Sequence, residues 1–424
     1  MGGWTKPAPR LYPHQWSWDS AFIAIGLAHL DPSRALEELE HLFEAQWRDG
    51  RVPHIVFDPN VPEYWPGPEL WASRGVSGAP TTVATSGLIQ PPMHAIAVWR
   101  ILQIAGAERG AATEGEIASR AIVLYPKLLA WHRYLAERRD PERSGLITVY
   151  HPWEGTDNTP RWDAALAAID VGELPPYART DLALVDDAER PSKAEYDRYL
   201  WLVALLRDAK YEDEAVQRGH PFLIKDVQCS AIFVAANDAL ASIADLAGAP
   251  PGERSDIAQW SARSAEAVRA CWDHSLELGL DFDLRAGHPI RCVTSAGLCP
   301  LLVPSLTPAE ARHFAKRLFG PDFAGAAGLA FPVVLSTGAR TPEFRPRAYW
   351  RGPAWPVINW LLWCGLNAHG LSDEAARLRE ANLALLARPE AGFAEYYEPF
   401  TAEPLGSLDQ SWTAAVTIDW LASA

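Results

Sequence analysis

Apolar side chains recur at the i, i+3, i+4 spacing of amphipathic helices along nearly the whole chain, and two tracts of about forty residues interrupt that period. Asp31-Pro32 reads as a cap followed by a proline in the first turn. Ala35, Leu36, Leu39, Leu42 and Phe43 then share one face until Gly50 closes the segment. Comparable patterns run over 17–30, 92–106, 114–139, 193–210, 226–247, 253–276, 292–303, 308–319, 354–369, 372–388 and 410–423. They predict an all-α fold of about twelve helices, with boundaries good to a few residues. Strand-like alternation is brief, as at Gly145 to Tyr150, and no 20–50-residue repeat of the solenoid kind is present.

The two interruptions, 51–90 and 151–192, are rich in Pro, Gly, Trp, Tyr, Asp and Asn. Connections longer than about 15 residues in a compact domain are usually functional or disordered, and these carry too many aromatics for disorder. No Ser-, Gly- or Pro-rich linker divides the chain. One domain over 1–424 is therefore expected, with both loops forming a cap over a site at one end.

Composition narrows the function. The chain has 424 residues, of which 48% are hydrophobic, enough for a large core and too many for a disordered scaffold. Thirty-eight basic against 53 acidic residues give a net charge of −15, which argues against a nucleic-acid backbone as partner. Val357 to Cys364, broken by Asn359, is far short of the roughly 20 residues a bilayer requires. Met1 to Pro7 lacks the apolar core of a signal peptide, so a cytoplasmic protein without membrane contact is expected. Five cysteines, an odd number with no CxxC spacing, argue against a zinc site or a disulfide framework. Asp186-Asp187 is a lone acidic pair, so no metal is expected. The sequence leaves a homo-oligomer open.

Nineteen tryptophans are many for this length, and several sit in short polar contexts: Trp16 and Trp18 near Tyr12 and Asp19, Trp65 after Tyr64, Trp153 and Trp162, Trp350 and Trp355 after Tyr349, and Trp412. An aromatic face covers the C–H face of a sugar ring while neighbouring polar groups bond its hydroxyls. Two carboxylate-bearing stretches stand out, His151 to Asp163 and Phe393 to Thr401, the latter continuing to Asp409-Gln410-Ser411-Trp412. Glycoside hydrolysis needs one carboxylic acid to protonate the leaving oxygen and a second carboxylate for water or direct attack. The two lie about 6.5–9.5 Å apart for inversion and about 5–5.5 Å for retention. An acid held between tryptophans is desolvated and its pKa rises from about 3.9 toward 6. Spacing alone leaves Asp157, Glu154 and Asp163 open for one role, and Glu395 and Glu398 for the other.

The blocks Gln15-Trp16-Ser17-Trp18-Asp19-Ser20-Ala21-Phe22, Trp153 to Pro160, Tyr349-Trp350-Arg351-Gly352-Pro353-Ala354-Trp355-Pro356, and Glu395-Tyr396-Tyr397 through Ser411-Trp412-Thr413-Ala414-Ala415 resemble glycoside hydrolase family 63. The likeness is to its bacterial glucosylglycerate and mannosylglycerate hydrolases, in order along nearly the whole chain. It implies an (α/α)6 barrel and inverting hydrolysis of an α-glycosidic bond in a small anionic glycoside, without a cofactor. It also implies Asp157 as general acid and Glu395 as general base. Tyr12, Trp16, Trp18, Asp19, His54, Tyr64, Gln90, Trp153, Tyr349, Trp350 and Trp355 fall on sugar-binding positions, and Arg190, Tyr196 and Gln410 on positions that hold the glycerate. Two departures stand out: one residue fewer between Trp153 and Asp157 than is usual, and only eleven residues before the Tyr12 block, where relatives carry an extra helix.

Plainer roles exist for several of these residues. Asp19 precedes an apolar run and could cap a helix. His54 could be a core histidine, Gln90 could start a helix before Pro91-Pro92, and Arg190 could pair with Asp186 or Asp187 at the surface. Rival functions are a hydrolase of neutral α-glucosides, trehalase-like enzymes included, or a non-catalytic sugar-binding protein. A sugar epimerase would need His14, His54 or His151 facing the ring.

Overall fold

The computed structural model describes residues 3–423. Among these, eleven α-helices reach ten residues or more. They are α1 (Ser17–Ala28), α2 (Pro32–Glu44), α3 (His94–Ile104), α4 (Ala111–Arg138), α5 (Lys193–Asp208), α6 (Val227–Leu246), α7 (Pro251–Ala270), α8 (Pro308–Leu318), α9 (Pro356–Ala368), α10 (Ser372–Leu386) and α11 (Ser411–Ala422). The expected helix at 292–303 is instead a 3-10 helix, Ser295–Leu302, with Pro300 inside it. Proline brings no N–H to the helical ladder and its ring collides with the carbonyl four residues back, so the α form is disfavoured there. Short helices at Pro68–Trp71, Asp163–Ala167 and Asp213–Gly219 were not anticipated, because four to seven residues are too few to display a period.

Helix starts follow local chemistry. Asp31 accepts hydrogen bonds from the Ser33 and Arg34 amides at 3.0 and 3.1 Å, which satisfies donors the helix itself cannot. Ser192 with Glu195 and Thr307 with Glu310 form reciprocal capping boxes at the starts of α5 and α8. The apolar face of α2 (Ala35, Leu36, Leu39, Leu42 and Phe43) is buried as its spacing required.

The core lies between helix pairs. α1 packs on α2, α3 and α11, while α6 packs on α3, α4, α7 and the 3-10 helix. By length and composition α6 could cross a bilayer, but 78% of its most apolar window is buried in the protein, so it is a core helix. Strands are minor. Thr148–Val149, inside the alternating stretch, pairs with Ile224–Lys225, which in turn pairs with Asp281–Asp283. Gln15–Trp16 pairs with Ile55–Val56, which ties the Tyr12 block to the first long loop.

α1 and α11 approach so closely that a Cβ on Gly26 would stand 2.4 Å from the Ala415 Cα. In an exposed helix Gly→Ala stabilises by about 1 kcal/mol, but overpacking a core costs about 1–3 kcal/mol, so the steric effect wins here. Gly26→Ala should therefore lower the urea midpoint of unfolding; a midpoint equal to or above wild type would show that the two helices can separate freely.

Candidate active site

A cavity of about 280 Å³ opens where the aromatic blocks meet. Tyr12, Trp16, Trp18 and Asp19 line it from the N-terminal block, and His54, Tyr64 and Gln90 from the first long loop. Trp153, Asp157, Arg190 and Tyr196 line it from the second loop and the start of α5. Tyr349, Trp350, Glu395 and Gln410 complete the wall.

Trp355 does not reach the cavity. It is 1% exposed and stacks behind Trp350 with ring centroids 3.7 Å apart, its other neighbour being Tyr396 at 4.5 Å. Its expected contact with a ligand is therefore corrected to that of a backing plate. Its indole N–H donates to the Tyr349 carbonyl at 3.2 Å.

Backbone pairing brings the walls into register. The Ser17 amide donates to the His54 carbonyl at 3.0 Å, the His54 amide to the Leu88 carbonyl at 2.9 Å, and the Trp18 amide to Gln90 Oε1 at 3.2 Å. Gln90 thus holds the first turn of α1 and does not begin a helix; α3 starts at His94. Nor does Asp19 cap α1. The N-cap position is Trp16, and the Asp19 carboxyl meets Gln410 Nε2 at 3.4 Å. Burial and the nearby Glu395 charge raise the Asp19 pKa well above the usual carboxylate range.

The geometry separates the candidate carboxylates. Glu154 is consumed by an ion pair with Arg139, at 2.7 and 2.8 Å, and by the Tyr150 and Ile89 amides. Asp163 pairs with Arg351 at 2.8 Å. Glu398 accepts from the Phe400 and Thr401 amides and caps its own turn. Asp157 and Glu395 are left facing the cavity.

Asp157 is followed by Asn158 in a left-handed conformation, φ 62°. The Asn158 amide donates to Tyr199 Oη at 3.0 Å and its side-chain carbonyl oxygen accepts from Arg351 Nε at 3.1 Å, which fixes the turn. Part of Asp157 opens to the cavity, yet its carboxyl lies deep in the protein. Loss of bulk solvent pushes its pKa up to about 8, Arg190 opposing the shift and Glu395 adding to it.

Glu395 is 1% exposed and fully supplied with donors. Tyr12 Oη at 2.7 Å and Tyr349 Oη at 3.1 Å donate to Oε1, while the Ser407 amide at 3.2 Å and Arg190 Nη2 at 3.4 Å donate to Oε2. Arg190 therefore pairs with Glu395 and with Tyr12 Oη at 3.0 Å, and not with Asp186, which caps its own turn through the Ala188 amide. Gly406, at φ 70°, lets the chain pass: a Cβ there would stand 2.4 Å from Glu395 Oε2.

Of the three histidines, only His54 lines the cavity. Burial holds it neutral, and Nδ1 shares a 2.6 Å hydrogen bond with Ser86 Oγ. His14 Nδ1 accepts from the Asp58 amide, and His151 bonds the Tyr199 carbonyl and the Trp153 amide.

A family model described as "Mannosylglycerate hydrolase MGH1-like glycoside hydrolase domain" matches residues 12–413. The glucosylglycerate hydrolase of Mycolicibacterium hassiacum is 44% identical over 425 residues, covering 99% of this chain and 94% of that one. The mannosylglycerate hydrolase of Thermus thermophilus is 41% identical over 421 residues, covering 99% and 97%. The chain belongs to glycoside hydrolase family 63. The crystal structure of the family 63 mannosylglycerate hydrolase from another strain of Thermus thermophilus, in complex with Tris and D-glycerate, matches it with a TM-score of 0.90 at 39% identity, over 99% of this chain and 96% of that one.

In this family 63 glycoside hydrolase the cavity also takes in Trp65 and Trp412, both among the tryptophans in polar contexts, and Trp71, Thr180 and Asp181, which the sequence does not single out. Trp65, Trp71, Thr180 and Asp181 come from the two long loops, and Trp412 from the start of α11. The loops themselves were the available signal; which of their residues turn inward was not. Among the described residues, no three His, Cys, Asp or Glu side chains gather as a metal-ligand set.

The raised Asp157 pKa has a thermodynamic signature in the hydrolase. Between the ordinary carboxyl value of 3.8 and about 8 the folded form retains a proton that the unfolded chain has released. Stability from this group therefore falls as pH rises, by at most about 1.4 kcal/mol per pH unit. Asp157→Asn removes that dependence, so its stability advantage over wild type should grow between about pH 5 and about pH 7.5 in urea unfolding. A constant difference across that range would mean that Asp157 ionises normally.

Proposed function

We propose that this protein is an inverting α-glycosidase that hydrolyses glucosylglycerate or mannosylglycerate to the free hexose and glycerate. The chain is read as a single (α/α)6-barrel domain over 1–424, with loops 51–90 and 151–192 as the cap of its active site. Asp157 is the general acid: it holds a proton near neutrality and gives it to the glycosidic oxygen. Glu395 is the general base that deprotonates the attacking water. Trp16, Trp18, Trp153 and Trp350 form the apolar walls against the sugar, and Arg190, Tyr196 and Gln410 receive the glycerate.

The observation that carries this reading is a proton-holding Asp157 and a donor-bound Glu395 lining one cavity together with a buried guanidinium. An anionic substrate entering a protein of net charge −15 needs such a local cation, and a guanidinium grips a carboxylate through two parallel hydrogen bonds. The names of the relatives, and the D-glycerate in one relative's crystal, agree with it. A neutral α-glucoside offers Arg190 no anionic partner, which counts against the trehalase-like reading. A non-catalytic sugar binder has no need of an acid and a base lining one cavity.

Proton NMR of fresh product should show the sugar released first as the β-anomer; the α-anomer appearing first would remove the inverting mechanism. kcat/KM should decline as pH rises through about 8, where Asp157 loses its proton. A rate that holds level beyond that point would assign the acid elsewhere. Arg190→Ala should depress kcat/KM for glucosylglycerate by about 10²-fold or more, on the scale of a lost charge-assisted clamp, and that for a neutral α-glucoside far less. Equal losses on both substrates would remove the glycerate assignment.

A further inference from the structure

An ionised carboxylate offers about two lone-pair positions on each oxygen, and both on Glu395 Oε2 are taken. Oε1 receives the Tyr12 and Tyr349 hydroxyls, and Oε2 receives the Ser407 amide and Arg190 Nη2. Oε2 in that condition has no position left from which to take a proton from water. One donor must withdraw before it can act.

The four donors are not equally free to leave. The Ser407 amide is backbone, and the Ser407 carbonyl in turn accepts from the Glu395 amide at 2.7 Å. Tyr349 is held by a left-handed backbone, φ 46°, and by the Trp355 indole on its carbonyl. Arg190 makes the longest of the four contacts, 3.4 Å, and is the one charged donor among them. Its Nε, buried, has no partner among the described residues. Its guanidinium carbon lies 4.7 Å from the Tyr349 ring centroid, a surface along which it can slide.

We propose that Arg190 caps the base in the empty enzyme and that the substrate's own carboxylate uncaps it. A carboxylate entering the cavity offers Arg190 a two-pronged partner, where Glu395 accepts a single long hydrogen bond. As the guanidinium turns to the ligand, Glu395 Oε2 regains a lone pair and accepts the proton of the attacking water. Tyr12, which accepts from Arg190 Nη1 at 3.0 Å, goes on donating its own hydrogen to Oε1. Charge on the aglycone then governs turnover as well as binding. Arg190 thereby becomes a specificity-determining residue that acts on kcat. This inference rests on the proposed glycerate-releasing activity.

α-D-Glucosyl fluoride separates the two effects. Water attacks C1, the C1–F bond breaks, fluoride leaves with the bonding electrons, and the water proton passes to Glu395. No acid is needed and no aglycone fills the glycerate position. With saturating fluoride, adding free D-glycerate should raise turnover roughly tenfold, the scale of one charge-assisted hydrogen bond removed from the base. Glycerol, uncharged and of similar size, should not. In Arg190→Ala the fluoride should turn over without any response to glycerate. No activation, inhibition alone, equal activation by glycerol, or an unchanged response in Arg190→Ala would each overturn the inference. The wild-type titration decides the matter even if the variant fails to fold. Hydrolysis of glucosylglycerate or mannosylglycerate is the control: the absence of both would sink the proposed function, whereas hydrolysis of glucosylglycerate without glycerate activation would sink only the capping mechanism.

Discussion

The Glu154 carboxylate is the fastening on which the site depends. It accepts both guanidinium nitrogens of Arg139, the Tyr150 amide and the Ile89 amide. One buried group thereby joins the residue just beyond α4 to both long loops, one residue before Gln90 and three before Asp157. Burying such a pair is costly and adds little net stability, but removing one partner leaves an unmatched charge inside and costs about 3–5 kcal/mol. The return is positional: loops of forty residues, which would otherwise be mobile, are held as firmly as the helix end beneath them.

Around that fastening, aromatic stacking and backbone pairing share the remaining work. Trp350, Trp355 and Tyr396 form a three-ring stack that supports Tyr349 from behind, and Tyr349 reaches Glu395 only because its backbone tolerates a left-handed turn. Strain of this kind persists where the surroundings over-determine a residue, and it concentrates at functional positions. Here both supports are visible, a stacked wall and an indole hydrogen bond. Asp157 is treated in the opposite way, held by its neighbour Asn158 and otherwise left to the cavity. One carboxyl is surrounded by donors, and the other is starved of them and holds its proton well above the usual carboxylate range.

Much of this was legible in the sequence because it is local. Helix periodicity and the Asp31-Pro32 signal depend on neighbours within a few residues, and α2 begins and buries the face that they indicate. The length and aromatic content of the loops pointed to the region of the site for the same reason. What escaped depended on distant partners. Nothing near Trp355 reveals that Trp350 screens it from the cavity, and nothing near Asp19 reveals that Gln410 meets it. Spacing could not rank Glu154 against Asp157, because the difference lies in Arg139 and Ile89, which fold in from elsewhere. The 3-10 geometry at Ser295–Leu302 is an intermediate case: Pro300 is plain in the sequence, but an apolar period conceals it.

The wall that carries Glu395 is built from segments far apart in the sequence. Tyr12 reaches Glu395, Gln410 reaches Asp19, and the Ser411 amide binds the Pro7 carbonyl. During synthesis the Tyr12 block leaves the ribosome long before its counterparts exist, with its tryptophans and its unpaired tyrosine hydroxyl waiting for Glu395 and Gln410. Closure of the ring of contacts is therefore a late event of high sequence separation, slow to form. A chain interrupted before Glu395 therefore has most of its helices and none of its base.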